Sequence, residues 1–121
     1  MKDGKILIID DDKYVCDTLK AILETKSYNV IIANEGQRGL EIAQTHQPKL
    51  ILLDIKLPDM DGFDVLTKIK DNETTKNIPI VMVSGREDYS ALAKARGLMS
   101  DDYIIKPFTS EDLFKKIEKY L

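Results

Sequence analysis

Short apolar runs alternate along this chain with stretches in which apolar residues recur every three or four positions. The runs are Ile6-Leu7-Ile8-Ile9, Val30-Ile31-Ile32, Leu50-Ile51-Leu52-Leu53, Ile80-Val81-Met82-Val83 and Tyr103-Ile104-Ile105. Their length and β-branched content predict five strands. Between them, Val15, Leu19, Ile22 and Leu23 fall at helical spacing and predict a helix from about Lys13 to Lys26. Leu40 and Ile42-Ala43 lie on a second helix, which ends before Pro48. Phe63, Val65-Leu66 and Ile69 mark a third, and Ala91-Leu92 with Ala95 a fourth. A fifth starts near Ser110, with Glu111 and Asp112 in its first turn and Lys115, Lys116 and Lys119 later, an order of charge that complements the helix dipole.

Strands that are apolar at every position are buried on both faces, so five βα units in succession predict a parallel sheet covered by helices on each side. Right-handed crossovers then favour a doubly wound α/β fold with five strands and five helices. The absence of a linker, repeat or low-complexity segment predicts a single domain over residues 1–121, with no effector domain in this chain.

Composition narrows the setting. The 121 residues are 43% apolar and 32% charged, an ordinary globular balance, and 18 basic against 21 acidic residues leave a net charge of −3. No basic stripe with interleaved aromatics is present, so direct nucleic-acid binding is not expected. Cys16 is the only cysteine, which excludes an internal disulfide and suits a reducing cytoplasm. The N-terminus lacks the apolar stretch of a signal peptide, and no run approaches the length needed to cross a membrane. A cytoplasmic protein without a membrane partner is expected.

In open α/β sheets, ligands bind beyond the carboxyl ends of the strands. Here the first strand ends in Asp10-Asp11-Asp12, the third in Asp54, the fourth in Ser84-Gly85 and the fifth in Lys106-Pro107. A parallel sheet puts all of them on one rim. Two carboxylates ~5 Å apart at an effective dielectric of about 20 repel by roughly 3 kcal/mol, so such a cluster calls for a cation. Hard oxygen donors suit Mg²⁺, which commonly bridges a carboxylate and a phosphoryl group. A carboxylate is also a competent nucleophile toward phosphorus. Lys106 would neutralise charge on the transferring group, and Ser84 would hydrogen-bond one of its oxygens.

Four segments, each at a predicted strand end, carry a family resemblance: Ile6–Asp12 (ILIIDDD), Leu50–Gly62 (LILLDIKLPDMDG), Asn77–Gly85 (NIPIVMVSG) and Tyr103–Phe108 (YIIKPF). Together they resemble the response-regulator receiver domains of two-component signalling, chemotaxis-regulator-like, over essentially the whole chain. The resemblance implies a flavodoxin-like sheet with strand order 2-1-3-4-5. It implies that Asp54 is the phosphoacceptor and that Asp10, Asp11, Asp54 and the backbone carbonyl of Lys56 contact Mg²⁺. Ser84 and Lys106 are implied as catalytic groups, with Ser84 and Tyr103 as the switch pair, and Lys106-Pro107 is expected to be cis. The phosphodonor would be a sensor histidine kinase or a histidine phosphotransfer protein, and the output a downstream effector protein or domain. Slow autodephosphorylation would accompany Mg²⁺-dependent self-phosphorylation, in a signalling protein and not a conventional enzyme.

The remaining polar residues have simpler expected roles. Asp12 is a surface or helix-capping residue, and Asp59 and Asp61 shape a turn and a helix start. Cys16 is a helix residue without a redox function, and His46 sits near a helix end without partners. Two departures from the family pattern stand out. Met99 stands where glycine would close the fourth helix, which predicts early termination or fraying there. Lys56 and Arg86, two residues beyond Asp54 and Ser84, would shield an acyl phosphate from water. Two other classes share some of these features. A Mg²⁺-dependent aspartate-nucleophile phosphatase usually needs an acid two residues after its nucleophile, where this chain has Lys56. A flavodoxin-like binding module needs a hydroxyl- and glycine-rich loop where this chain has three aspartates.

Overall fold

A computed structural model describes residues 5–85, 88 and 100–121. Five strands, β1 (Lys5–Ile9), β2 (Asn29–Ala33), β3 (Leu50–Leu53), β4 (Ile80–Gly85) and β5 (Asp102–Lys106), form one sheet in the order β2-β1-β3-β4-β5, every pair parallel. The expected strand order is therefore present. The period-2 alternation of each strand divides the core into two layers. Leu7, Ile9, Ile51, Leu53, Ile80 and Met82 face α2 (Gly36–His46) and α3 (Gly62–Lys70), where they pack with Ile42, Phe63, Leu66 and Ile69. Ile6, Ile8, Leu50, Leu52, Val81 and Val83 face the opposite way, toward α1 (Lys13–Glu24) and the C-terminal helix (Ser110–Ile117), where Leu19, Leu23, Leu113 and Ile117 meet them. This explains why the runs are apolar at every position.

Among the described residues there are four α-helices and a closing 3₁₀ turn at Glu118–Tyr120. The fourth predicted helix, near Ala91–Ala95, lies outside the described residues, as do Arg86 and Met99, so the expected fraying at Met99 falls there too. The first helix is two residues shorter than its apolar spacing predicts. It gives way after Glu24 to a tighter turn, with Thr25 N donating to Ile22 O at 3.2 Å and Lys26 N to Leu23 O at 3.1 Å, and Ser27 then takes a left-handed φ of 65°. The second ends at His46 with Gln47 left-handed, ahead of Pro48 as expected. The Lys106-Pro107 bond is cis, also as expected.

Candidate functional site

The strand ends do meet on one rim. The main chain of Asp10 is held on three sides: its N–H donates to Ala33 O at 3.0 Å, and its carbonyl accepts from Asn34 Nδ2 at 3.0 Å and from Cys16 Sγ at 3.2 Å. Its carboxylate, on a residue only 2% exposed, accepts the Asp12 N–H on one oxygen at 2.9 Å and faces Lys106 Nζ with the other at 3.1 Å. Asp54 is 9% exposed; its N–H continues the β1–β3 ladder by donating to Ile9 O at 2.9 Å. Asp54 Oδ1 accepts the Ile55 N–H at 2.8 Å and lies 3.7 Å from Lys106 Nζ. Asp11 is exposed at the mouth. Each of Asp10, Asp11 and Asp54 presents a carboxylate oxygen within 4.8 Å of the other two.

Among the described residues, the one ammonium paired with Asp10 and Asp54, that of Lys106, does not balance three carboxylates. Burial, reinforced by the neighbouring Asp10 and Asp11 charges, pushes the Asp54 carboxyl up to about 6, against the pull of Lys106 and the Ile55 N–H. The donor set therefore fits a hard divalent cation in both its oxygen chemistry and its unmet negative charge. Ser84 is buried near the C-terminal end of β4, on the same rim, and among the described residues its hydroxyl makes one long bond, donating to Gly85 O at 3.4 Å.

A family model described as the response regulator receiver domain matches residues 6–118. The chain belongs to that family. Among its relatives, the protein PilG of Pseudomonas aeruginosa is 36% identical over 121 residues, covering 98% of this chain and 89% of PilG. The DNA-binding dual master transcriptional regulator RpaA of Synechocystis is 35% identical over 117 residues, and there the receiver covers 97% of its own length but only 48% of RpaA. Among solved structures, a CheY-like response regulator receiver domain protein from Methanospirillum hungatei superposes with a TM-score of 0.83 at 36% identity, covering 98% of this chain and 93% of that one. The resemblance read from the four strand-end segments is thus borne out. The family serves two-component signalling, not metabolism. No helix among the described residues is long and apolar enough to cross a membrane.

The receiver's other predicted residues are placed as follows. Tyr103 lies on the surface, 36% exposed, with the Lys116 ammonium 5.1 Å from its ring centre. Lys56 follows β3 in an isolated bridge with Asp61, and its own ammonium pairs with Asp88 at 2.8 Å. Asp12 caps α1 by accepting from Tyr14 N and Val15 N, and Asp61 caps α3 by accepting from Phe63 N at 2.7 Å. His46 is not without a partner, since its Nδ1 lies 2.9 Å from Thr45 Oγ1 on the exposed helix end. Cys16 is buried, and desolvation with the adjacent Asp10 charge pushes its thiol up to about 11, leaving it protonated.

Three supporting contacts escaped the sequence reading. Asn34 and Cys16 anchor Asp10 through its carbonyl, and nothing in their local pattern announces it. Asp59 caps a helix distant in sequence, accepting from Gly36 N at 2.7 Å and Gln37 N at 2.9 Å at the start of α2. A signal for that did exist: Glu35, the residue in the N-cap position of α2, is a poor capping type and makes no side-chain cap bond.

Proposed function

We propose that this receiver accepts a phosphoryl group on Asp54 from a phosphohistidine of a sensor histidine kinase or phosphotransfer protein in the cytoplasm, with residues 1–121 acting as one switch domain. The reading rests above all on one observation: Lys106 Nζ reaches both Asp10, at 3.1 Å, and Asp54, at 3.7 Å, beside three converging carboxylates. Asp10, Asp11, Asp54 and the Lys56 carbonyl would hold Mg²⁺, which when bound supplies positive charge to the phosphoryl oxygens and lowers the carboxylate repulsion.

An oxygen of Asp54 attacks phosphorus in line with the phosphohistidine nitrogen. The P–O bond forms as the P–N bond breaks, and its electron pair departs with the imidazole. Lys106 moves its ammonium from Asp10 toward a phosphoryl oxygen, stabilising the charge that spreads over the transferring group. Ser84 gives up its long bond to Gly85 and donates to another of those oxygens. The space it leaves, and the modest worth of the Lys116–Tyr103 contact (about 0.5–1 kcal/mol at an exposed site), allow the Tyr103 ring to turn inward. The face around β5 and the C-terminal helix then presents a second arrangement to a downstream effector, by shifting two pre-existing states. Slow hydrolysis of the acyl phosphate resets the switch.

Mass spectrometry after incubation with Mg²⁺ and acetyl phosphate tests the reading. One phosphoryl group is expected, absent in Asp54→Asn and after chelation of the metal. Modification that persists in Asp54→Asn would remove Asp54 from this role.

A further inference from the structure

Residues 55–61, which leave β3 and return to α3, are pinned at both ends. At the base, Gly62 N donates to Ile55 O at 2.6 Å and Lys56 bridges to Asp61. At the tip, the two carboxylate oxygens of Asp59 separately accept Gly36 N at 2.7 Å and Gln37 N at 2.9 Å, two of the N–H groups that the start of α2 cannot satisfy itself. Met60 reinforces this junction. A Cβ on Gly36 would collide with its Cγ and sit 2.6 Å from its Sδ, so the Met60 side chain lies directly against the main chain at the start of α2. The N–H groups of Gly36 and Gln37 hold the Asp59 carboxyl below its ordinary value, so the anion is well suited to the place. α2 in turn rests on the sheet through Ile42 and Ala43. The loop is therefore tied to a rigid part of the fold at a point remote from β3.

We infer that Asp59 is a positioning residue for the cation site: by tethering the loop tip to α2 it fixes the main chain at Lys56, whose carbonyl would complete the ligand set. This rests on the functional reading above. Groups that orient a ligand are often worth tenfold or more in metal affinity although they never touch the metal. The alternative is that Asp59 merely stabilises α2.

The two separate in a calorimetric titration of the receiver with Mg²⁺, using wild type, Asp59→Ala and the double variant Asp59→Ala/Glu35→Ser. Serine is a favoured N-cap, so Glu35→Ser supplies α2 with a cap of its own without restoring the tether. Each variant is titrated well below its own melting temperature, so folded protein is read throughout. Both variants are expected to bind Mg²⁺ about tenfold more weakly than wild type. The amide resonances of Ile55 and Lys56 are expected to shift in metal-free Asp59→Ala and to stay shifted in the double variant. Unchanged affinity in Asp59→Ala, or recovery in the double variant, overturns the inference. Wild type that binds no Mg²⁺, or binds it equally after Asp10→Asn, overturns the functional reading and this inference with it.

Discussion

Lys106 holds Asp10 more closely than Asp54: its ammonium is 3.1 Å from the first carboxylate and 3.7 Å from the second. At rest the lysine therefore acts as a counterion for the acidic cluster, occupying charge that a divalent cation would otherwise meet alone. Removing it sets two effects against each other. In Lys106→Met, Mg²⁺ no longer faces the Lys106 charge and binds tighter, by roughly fivefold, since unit charges some ångströms apart at an effective dielectric near 20 interact by a few kcal/mol before solvent screening. Phosphorylation by acetyl phosphate slows in the same variant, because the group that follows the phosphoryl oxygens is gone. Titration calorimetry and a phosphorylation time course read the two effects separately, and weaker Mg²⁺ binding would contradict the counterion role.

The raised Asp54 carboxyl makes a stability prediction with a definite sign. Its value in the folded protein is about 6, above the ordinary 3.8, so the folded state holds this proton more tightly than the unfolded chain. The contribution is thus fully present below about 3.8 and is lost as pH rises through about 6. Above that, the ionised group costs the metal-free fold about 1–2 kcal/mol, less than the full shift because water reaches the carboxylate through the cleft. Asp54→Asn should raise the melting temperature of metal-free protein at pH 7.5, and the gain should fade as pH approaches 4. Mg²⁺ should narrow it by stabilising the wild type. A gain equal at all pH values would mean that the carboxylate charge is not its source.

The sheet and its acidic rim were legible because both depend on periodicity. Runs such as Leu50–Leu53 are apolar throughout since α2 and α3 cover one face and α1 with the C-terminal helix the other, and a parallel sheet necessarily gathers the residues that end its strands. What could not be read depends on approach between segments distant in the chain. Asp59 lies 23 residues from Gly36, and its capping bonds exist only once α2 and the β3–α3 loop pack together. Asn34 meets Asp10 only through the pairing of β1 with β2. The end of α1 eluded prediction for a local reason, since Ser27 adopts a left-handed conformation more commonly taken by glycine.

Gly62 shows how tightly the phosphoacceptor strand is backed. A Cβ there would collide with the Asp54 carbonyl oxygen and sit 2.7 Å from Ile55 Cα, both main-chain atoms that cannot rotate away. Gly62→Ala must therefore move the backbone that carries Asp54. Overpacking of this kind costs about 1–3 kcal/mol, read by urea unfolding. The displaced carboxylate should also slow phosphorylation at saturating Mg²⁺, measured on folded protein. Normal phosphorylation in a destabilised Gly62→Ala would show that the strain is relieved toward α3 and not toward Asp54.

Lys56 pairs with Asp88, 2.8 Å from its ammonium. The pair is partly solvated, with the lysine side chain 74% exposed, so it is worth up to about 1 kcal/mol, or roughly a fivefold population shift. If Lys56 shields the acyl phosphate, Asp88 competes with the phosphoryl group for it, and the two substitutions should act in opposite directions. Lys56→Asn should shorten the acyl-phosphate lifetime, while Asp88→Asn should lengthen it by roughly two- to fivefold as the ammonium becomes available to the phosphoryl oxygens. Added salt should diminish the Asp88→Asn effect, since the competing pair is already screened. Loss of phosphate from purified phosphoprotein, followed at low and high ionic strength, measures all three. Lifetimes that move in the same direction in the two variants would rule out competition for Lys56.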